Sequence, residues 1–351
     1  MKLGVFTCLL QNLPLEEALK YFKSLGIEMI ELGCGGFPGN AHCDPKTLLN
    51  DEDKFNEFVA TIKKYDMEIS ALSCHGNPVH PDKEKAAAFD KTIRDTILLA
   101  EKLGLHQINT FSGCPGDCPE SKHPNWVVCP WPDDFSEVLK WQWEEVLIPY
   151  WKDLVAFAKA HGVNKIALEL HPGFCVYNTE SLLKLREAVG PEIGANFDPS
   201  HLIWQGIDPV ASIRKLGDAI FHFHAKDTKI DKYNTMVNGV LDTKPYSDEI
   251  NRSWIFRSVG YGNDELYWKD IISNLRLVGY DYAISIEHED SLMSQNEGLT
   301  KAVQTLKNAL ITESTTEMWW ASPISVRVQN KSPPPQAILP LLQGETWQFS
   351  K

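Results

Sequence analysis

The stretch that decides the fold runs from Lys165 to His201 and reads KIALELHPGFCVYNTESLLKLREAVGPEIGANFDPSH. Its first part, KIALELHPG, is typical of a buried strand. TESLLKLREAVG then places apolar residues at the three- and four-residue spacing of a helix and ends in glycine, as helices often do. EIGANFDPSH begins as a second strand. A strand, a helix and a strand in succession predict a βαβ unit with parallel strands.

The same alternation continues along most of the chain. Eight strand-like segments are each followed by a helix-like segment: KLGVFT, EMIELGCGG, EISALSCHG, HQINTFSG, KIALELHPG, EIGANFDPSH, IFHFHAKD and DYAISIEHED. Eight consecutive βα units predict an α/β fold of the TIM (β/α)8 barrel type, with a doubly wound open sheet as the alternative. We expect the barrel to occupy residues 1–311.

Three segments are longer than a barrel needs. Residues 114–137 predict a loop rich in proline and tryptophan after the fourth strand, and residues 228–264 predict a long loop after the seventh. Both belong on the C-terminal face, where barrel loops build active sites. Residues 312–351 form a C-terminal extension with MWWASPISV, whose tryptophans we expect to pack on the barrel or on a partner subunit.

Composition excludes several classes of protein. The chain has 351 residues and a net charge of −13, which repels nucleic acid and anionic membrane surfaces. It contains no apolar run of about 20 residues, so we expect no transmembrane helix. Its eight cysteines are distributed along the chain, and its N-terminus does not resemble a signal peptide. We therefore predict a cytoplasmic protein with reduced thiols and with no nucleic-acid or membrane partner.

Ionisable residues stand at the ends of the last four predicted strands. Barrel strands are covered on both faces, and an ionised carboxylate there costs several kcal/mol unless it is paired or binds a metal. The residues concerned are Glu169, Asp198, one of His222 and His224, and Glu287. Three carboxylates and one imidazole suit a divalent cation, and the oxygen-rich set favours Mn²⁺, with Mg²⁺ or Co²⁺ as alternatives.

These strand ends resemble the xylose isomerase-like TIM barrel superfamily, in particular its sugar phosphate isomerase/epimerase branch. LELHPG, NFDPSH, HFHAKD and SIEHED follow the family's order at strands five to eight. The likeness to ketose 3-epimerases implies that Glu169, Asp198, His224 and Glu287 bind the metal. It therefore selects His224, rather than His222, as the ligand.

The same resemblance implies a set of substrate-binding residues. His201 follows the aspartate by three residues, and RSVGYG supplies Arg257. We also expect His75, which follows the third strand, and Trp204 to contact the substrate.

The chain departs from the epimerase pattern at Cys175. Epimerases have a second glutamate at this position, six residues after the ligand of the fifth strand. We therefore expect His171 and His201 to serve as acid or base, together with Glu169 and Glu287. The reaction that the resemblance implies is removal of a proton next to a carbonyl, which gives a metal-stabilised enediolate.

A second resemblance concerns the loop after the fourth strand. FSGCPGD, PNWVVCPWP and LKWQWEEVLIPYW are similar to catalytic subunits of C-glycoside deglycosylases. These barrels act on 3-oxo-glucosides and usually have a small β-sandwich partner chain. The alternative prediction is therefore a lyase that eliminates the aglycone from an oxidised glycoside. We expect a sugar or glycoside substrate, and either a homo-oligomer or a hetero-oligomer with a small β-rich subunit.

Overall fold

Eight parallel strands close into a barrel, which confirms the predicted TIM fold and excludes the open sheet. In the computed structural model, which describes residues 1–313 and Trp320, residues Met1–Thr312 form one unit. The strands are β1 Lys2–Phe6, β2 Met29–Gly33, β3 Glu68–Ser73, β4 Gln107–Thr110, β5 Lys165–Glu169, β6 Ile193–Phe197, β7 Ile220–Ala225, β8 Asp227–Ile230, β9 Trp254–Arg257 and β10 Ala283–Ile286. The barrel consists of β1–β7 and β10, and it closes where β10 pairs with β1.

Helices follow the barrel strands as the sequence predicts. They are α1 Leu15–Ser24, α2 Pro45–Asn50, α3 Glu52–Lys64, α4 Lys83–Leu103, α5 Asp133–Trp141, α6 Ile148–Ala160, α7 Thr179–Val189, α8 Pro199–Trp204, α9 Pro209–Leu216, α10 Lys232–Asn238, α11 Glu265–Leu277 and α12 Gln295–Ala309. A π-helical turn, Gln142–Leu147, joins α5 to α6. Among the described residues, no helix combines the length and the apolar character that a membrane span requires.

The segment after β7 is more ordered than the long loop that the sequence predicts. β8 and β9 form an antiparallel pair, and α10 lies between them in the chain. Trp204, Trp254 and Phe256 form a small hydrophobic cluster of their own beside this pair. By contrast, the segment after β4 has no regular element until α5 begins at Asp133, as expected for a loop. The predicted packing role of residues 312–351 falls almost wholly outside the described residues.

The interior of the barrel is not uniformly apolar. Side chains from several strands form a buried polar layer beneath the carboxyl ends: Glu31, Ser70, Ser73, Asn109, Asn196, His222, His224 and Ser285. Buried polar groups persist where they are hydrogen-bonded to one another. The candidate functional residues described below lie above this layer, at the carboxyl ends of the strands.

Candidate active site

Four side chains from consecutive barrel strands converge at the C-terminal face. Glu169 ends β5, Asp198 follows β6, His224 lies in β7 and Glu287 follows β10. One potential ligand atom from each lies within 4.8 Å of those of the others. The structure therefore brings together the four residues that the sequence singled out, because the carboxyl ends of parallel barrel strands meet on one face. That they bind a metal stays a prediction.

The environment of Asp198 fits a cation. Its Oδ1 caps α8 by accepting a hydrogen bond from the Ser200 amide at 2.8 Å. Its Oδ2 is buried and has no hydrogen-bond partner among the described residues, although Nζ of Lys226 lies 3.0 Å away. Burial raises the pKa of Asp198 to about 7; Lys226 opposes this rise, while Glu169 and Glu287 add to it. A divalent ion would compensate the charge of such a buried carboxylate.

Glu169 is surrounded by imidazole rings. His201 donates from Nε2 to Oε1 at 3.1 Å, and Nε2 of His75 lies 3.0 Å from Oε2. Burial alone would raise the pKa of Glu169, but these two imidazoles outweigh it and hold the pKa well below its usual range. Burial lowers the pKa of His201. A neutral His201 therefore holds an ionised Glu169 in place.

His224 and His222 occupy successive layers of the barrel. Nδ1 of His224 lies 3.1 Å from Oε2 of Glu287 and 3.5 Å from Oε2 of Glu169, so this ring belongs to the converging set. His222 lies deeper, where Nδ1 donates to Oδ1 of Asn196 and Nε2 lies 3.1 Å from Oγ of Ser70. Burial lowers the pKa of His222 to about 4. His222 is a hydrogen-bonded core histidine.

Lys226 is the cation at the centre of the site. It is 2% exposed, and Nζ donates to Oε2 of Glu287 at 2.9 Å and to Oε2 of Glu289 at 3.2 Å. Burial alone would lower its pKa, but the surrounding carboxylates, Asp198 first among them, raise it well above the usual value. Lys226 therefore contacts two of the expected ligands, Asp198 and Glu287, directly.

Asp227 points away from Lys226 and anchors the following loop. Its Oδ1 accepts hydrogen bonds from the Thr228 amide and the Asn263 side chain. Its Oδ2 accepts from Nε1 of Trp268 and from the backbone amides of residues 260, 262 and 263. Gly262 packs so closely against the backbone of Thr228 that a side chain would not fit, because a Cβ there would lie 2.4 Å from the Thr228 carbonyl oxygen. Asp227 thus shapes the segment that carries RSVGYG.

Two adjoining cavities open above the converging residues. The inner one, about 230 Å³, is polar and is lined by Phe6, Cys8, Gln11, Phe37, Pro38, His75, Phe111, Glu169, His171, Lys226, Glu287 and Glu289. The outer one, about 570 Å³, is largely apolar and is lined by Phe37, Phe111, His171, Phe174, Tyr246, Ile255, Phe256, Glu289 and Ser291. They share Phe37, Phe111, His171 and Glu289. A ligand with a polar end and an apolar end matches this pair of cavities.

His171 stands at the junction of the two cavities. Its Nδ1 donates to the Pro172 carbonyl at 2.6 Å, which leaves Nε2 as the acceptor of a neutral ring. Burial lowers the pKa of His171 and so favours that neutral form. Glu289, which the sequence analysis did not single out, lines both cavities as well. Its place two residues after Glu287, in SIEHED, was the available signal.

Several residues expected to bind substrate lie elsewhere. Nε of Arg257 pairs with Oδ2 of Asp290 at 3.0 Å, and Trp204 stacks on Trp254 with ring centroids 4.6 Å apart. Neither lines the two cavities, and His201 lies beneath Glu169 rather than at their surface. His75 does line the inner cavity, as expected.

Cys175 also faces away from the converging set. Its amide donates to the Gly113 carbonyl, and its thiol lies beside Cys114 in a separate pocket behind the loop that follows β4. Both thiols are buried, and the hydrogen bond with Cys114, together with burial, raises the pKa of the Cys175 thiol, which makes it a poor proton carrier. The position where epimerases have a second glutamate therefore contributes nothing to this site.

Comparison with known proteins agrees with this architecture. The family model described as "Xylose isomerase-like TIM barrel" matches residues 19–309. The Bacillus subtilis (strain 168) protein "Uncharacterized protein YfiH" is 42% identical over 312 residues, which cover 88% of this chain and 99% of the relative. A shorter match, 33% identical over 93 residues, covers 23% of this chain and 30% of "Inosose dehydratase" from Clostridium tetani (strain Massachusetts / E88).

Solved structures share the fold. The "D-tagatose 3-epimerase-like protein" has a TM-score of 0.59 and 21% identity, and the match covers 88% of this chain and 98% of that one. The "IOLI protein with a binding zinc atom" has a TM-score of 0.61 and 19% identity, with the same coverage.

Proposed function

Because the chain belongs to the xylose isomerase-like TIM barrel family, we propose that it is a divalent-metal-dependent enzyme that removes a proton next to a carbonyl group of a sugar or a related cyclic polyol. One observation carries the proposal. Glu169, Asp198, His224 and Glu287 converge beneath a polar cavity that Glu169 and Glu287 line, and Oδ2 of Asp198 is buried there 3.0 Å from Nζ of Lys226. The names of an epimerase-like structure and of a dehydratase relative fit this class of chemistry.

Glu169, Asp198, His224 and Glu287 would hold the ion, for which the oxygen-rich set favours Mn²⁺, with Mg²⁺ or Co²⁺ as alternatives. When bound, the ion supplies Lewis-acid stabilisation of the negative charge that develops on the carbonyl oxygen. The buried Lys226 ammonium adds a second fixed positive charge at the inner cavity.

His171 is the best-placed group for proton transfer. Its neutral ring lines the inner cavity and offers Nε2 as an acceptor. Glu169 and Glu287 remain alternative bases, since their pKa values are lowered and both carboxylates line the same cavity. His201 acts through Glu169, because it hydrogen-bonds that carboxylate from below. Return of the proton to another face gives epimerisation, and return to another carbon gives isomerisation.

A second candidate is elimination from a 3-oxo-glycoside, favoured by the outer cavity. Its apolar lining would take an aglycone whose sugar occupies the inner cavity. The proton would pass from the carbon next to the carbonyl to Nε2 of His171 or to one of the two alternative bases. The bond from the neighbouring carbon to the aglycone would then break, and the aglycone would depart with that electron pair and receive a proton from His171 or Glu289. The lyase hypothesis predicts a small β-rich partner subunit, whereas the isomerase hypothesis predicts a homo-oligomer.

One experiment separates these reactions. The Mn²⁺-loaded protein is incubated in D₂O with ketoses, inososes and aryl 3-oxo-glucosides, and the products are analysed by NMR and chromatography. Deuterium on carbon in a ketose or inosose, with no aglycone released, supports the isomerase or epimerase. Release of aglycone supports the lyase. Absence of both reactions from a metal-loaded, folded protein contradicts the proposal, and a chelated sample controls for metal-independent turnover.

A further inference from the structure

A carboxylate outside the converging set lies against His224 from across the barrel. Glu31 sits in the middle of β2 and is fully buried. Its Oε2 and Oε1 lie 2.9 and 3.0 Å from Nε2 of His224. Glu287 and Glu169 lie near Nδ1 of His224. Glu31 therefore contacts the ring nitrogen that points away from them.

Side chains from three other barrel strands hold the Glu31 carboxylate in place. Asn109 donates to Oε1 at 3.0 Å from β4, and Ser285 donates to Oε2 at 2.8 Å from β10. Ser73, in β3, donates to Oε1 as well. Together with His224, these donors occupy both oxygens. The carboxylate is therefore a fixed acceptor whose position the barrel register determines.

The bonding also excludes a different role for this group. Glu31, His222 and His224 lie close enough together to suggest a second metal site. Both oxygens of Glu31 already accept from protein donors, and both nitrogens of His222 are bonded to Asn196 and Ser70. A cation there would have to displace this whole network.

We propose that Glu31 is a positioning residue for the metal centre, which selects the tautomer and the ring orientation of His224. An ionised carboxylate can only accept, so Nε2 of His224 must carry the proton that it donates to Glu31. In the neutral ring this leaves the lone pair on Nδ1, the nitrogen that faces Glu169 and Glu287. A ligand histidine bonded in this way through its far nitrogen is oriented and made more basic. The inference rests on the proposed metal dependence.

The test compares Glu31→Gln and Glu31→Asp with the wild-type protein by titration calorimetry with Mn²⁺. Glutamine keeps the shape but loses one acceptor oxygen, and we expect metal affinity to fall roughly tenfold to a hundredfold. Aspartate keeps the charge, but its side chain is one methylene shorter, so the carboxylate lies farther from His224. We expect a similar loss of metal affinity. Wild-type affinity in Glu31→Asp would show that only the charge matters and would overturn the positioning role. Asp242→Asn, another buried carboxylate changed to its amide, should leave affinity unchanged.

NMR of the wild-type protein with ¹⁵N-labelled histidine shows directly which nitrogen of His224 carries the proton. This measurement does not depend on whether the variants fold. With or without Mg²⁺, His224 of the wild-type protein should carry a slowly exchanging proton on Nε2. A proton on Nδ1 with a bare Nε2 would overturn the inference. Wild-type protein that takes up no divalent ion would contradict the proposed function instead, while the Nε2 proton would still report whether Glu31 orients the ring.

Discussion

The ammonium nitrogen of Lys226 lies 2.9 Å from Oε2 of Glu287, one of the four expected metal ligands. It also lies 3.0 Å from Oδ2 of Asp198, a second expected ligand. A lysine and the proposed divalent cation would therefore draw on the same buried carboxylates. Lys226 neutralises part of their charge, and we expect a bound ion to take over that role.

Replacing Lys226 with methionine tests this relationship. Without metal, we expect Lys226→Met to lose about 3–5 kcal/mol of unfolding free energy, because buried carboxylates lose their counter-charge. Mn²⁺ should then stabilise the variant more than it stabilises the wild type, since no ammonium competes for the carboxylates. Thermal melts with chelator and with Mn²⁺ measure both effects. Lys229→Met, at a lysine bonded only to the Gly262 carbonyl, is the control. Equal metal-induced shifts in both variants would contradict the competition.

Removal of metal should lower stability and abolish turnover. A ligand that binds only the folded state stabilises it by about 2.7 kcal/mol at one hundred times its dissociation constant. We expect Glu169→Gln and His224→Ala to lose this stabilisation, together with the bound ion and activity. Metal content by mass spectrometry and melting temperature give the readout. Full metal content and full turnover in both variants would refute the ligand set.

His171→Asn separates proton transfer from metal binding. His171 lines both cavities but is not one of the four expected ligands. Loss of a general acid or base costs roughly 10²–10⁴ in rate, so we expect kcat to fall by that order while metal affinity is retained. His161→Asn, on the outer surface beside Glu101, is the matched control. Unchanged kcat in the His171 variant would move the role of base to Glu169 or Glu287.

Tyr246→Ala probes the outer cavity. Tyr246 lines that cavity but not the inner one, and its ring stacks on Phe256 with centroids 5.8 Å apart. We expect KM for aryl 3-oxo-glucosides to rise, while metal affinity and any turnover of simple ketoses stay as in the wild type. Steady-state kinetics on the two substrate classes provide the measurement. Equal losses on both classes would show that the tyrosine supports the whole site rather than an aglycone.

Asp227→Ala should loosen the segment that follows β9. Six hydrogen bonds end on this carboxylate, three of them from backbone amides of residues 260–263. Each buried donor left without a partner costs about 1–3 kcal/mol, so we expect a loss of several kcal/mol. Urea denaturation gives the stability, and hydrogen exchange should show residues 258–264 losing protection first. Wild-type protection there would contradict the anchoring role.

The closed barrel was predictable because each βα unit carries its own signal. KIALELHPG and EIGANFDPSH are short and apolar, and the helix between them shows its own periodicity. The antiparallel pair after β7 could not be predicted in this way, because β8 and β9 lie far apart in the chain. Their residues pair from Asp227 with Arg257 to Ile230 with Trp254. Such a long-range pairing has no local signature. The stacking of Trp204 was not predictable for the same reason, since Trp254, on which it stacks, comes from that distant pair.

By itself, the sequence determined the barrel and the meeting of Glu169, Asp198, His224 and Glu287, since parallel strands in this order must bring their carboxyl ends to one face. Only the tertiary structure decided what stands behind and beside them. Glu31 reaches His224 from 193 residues away, across a barrel whose closure and register no local pattern encodes. Lys226 and its neighbour Asp227 turn to opposite sides, as alternation along an extended chain requires, but what each side contains depends on packing from distant segments.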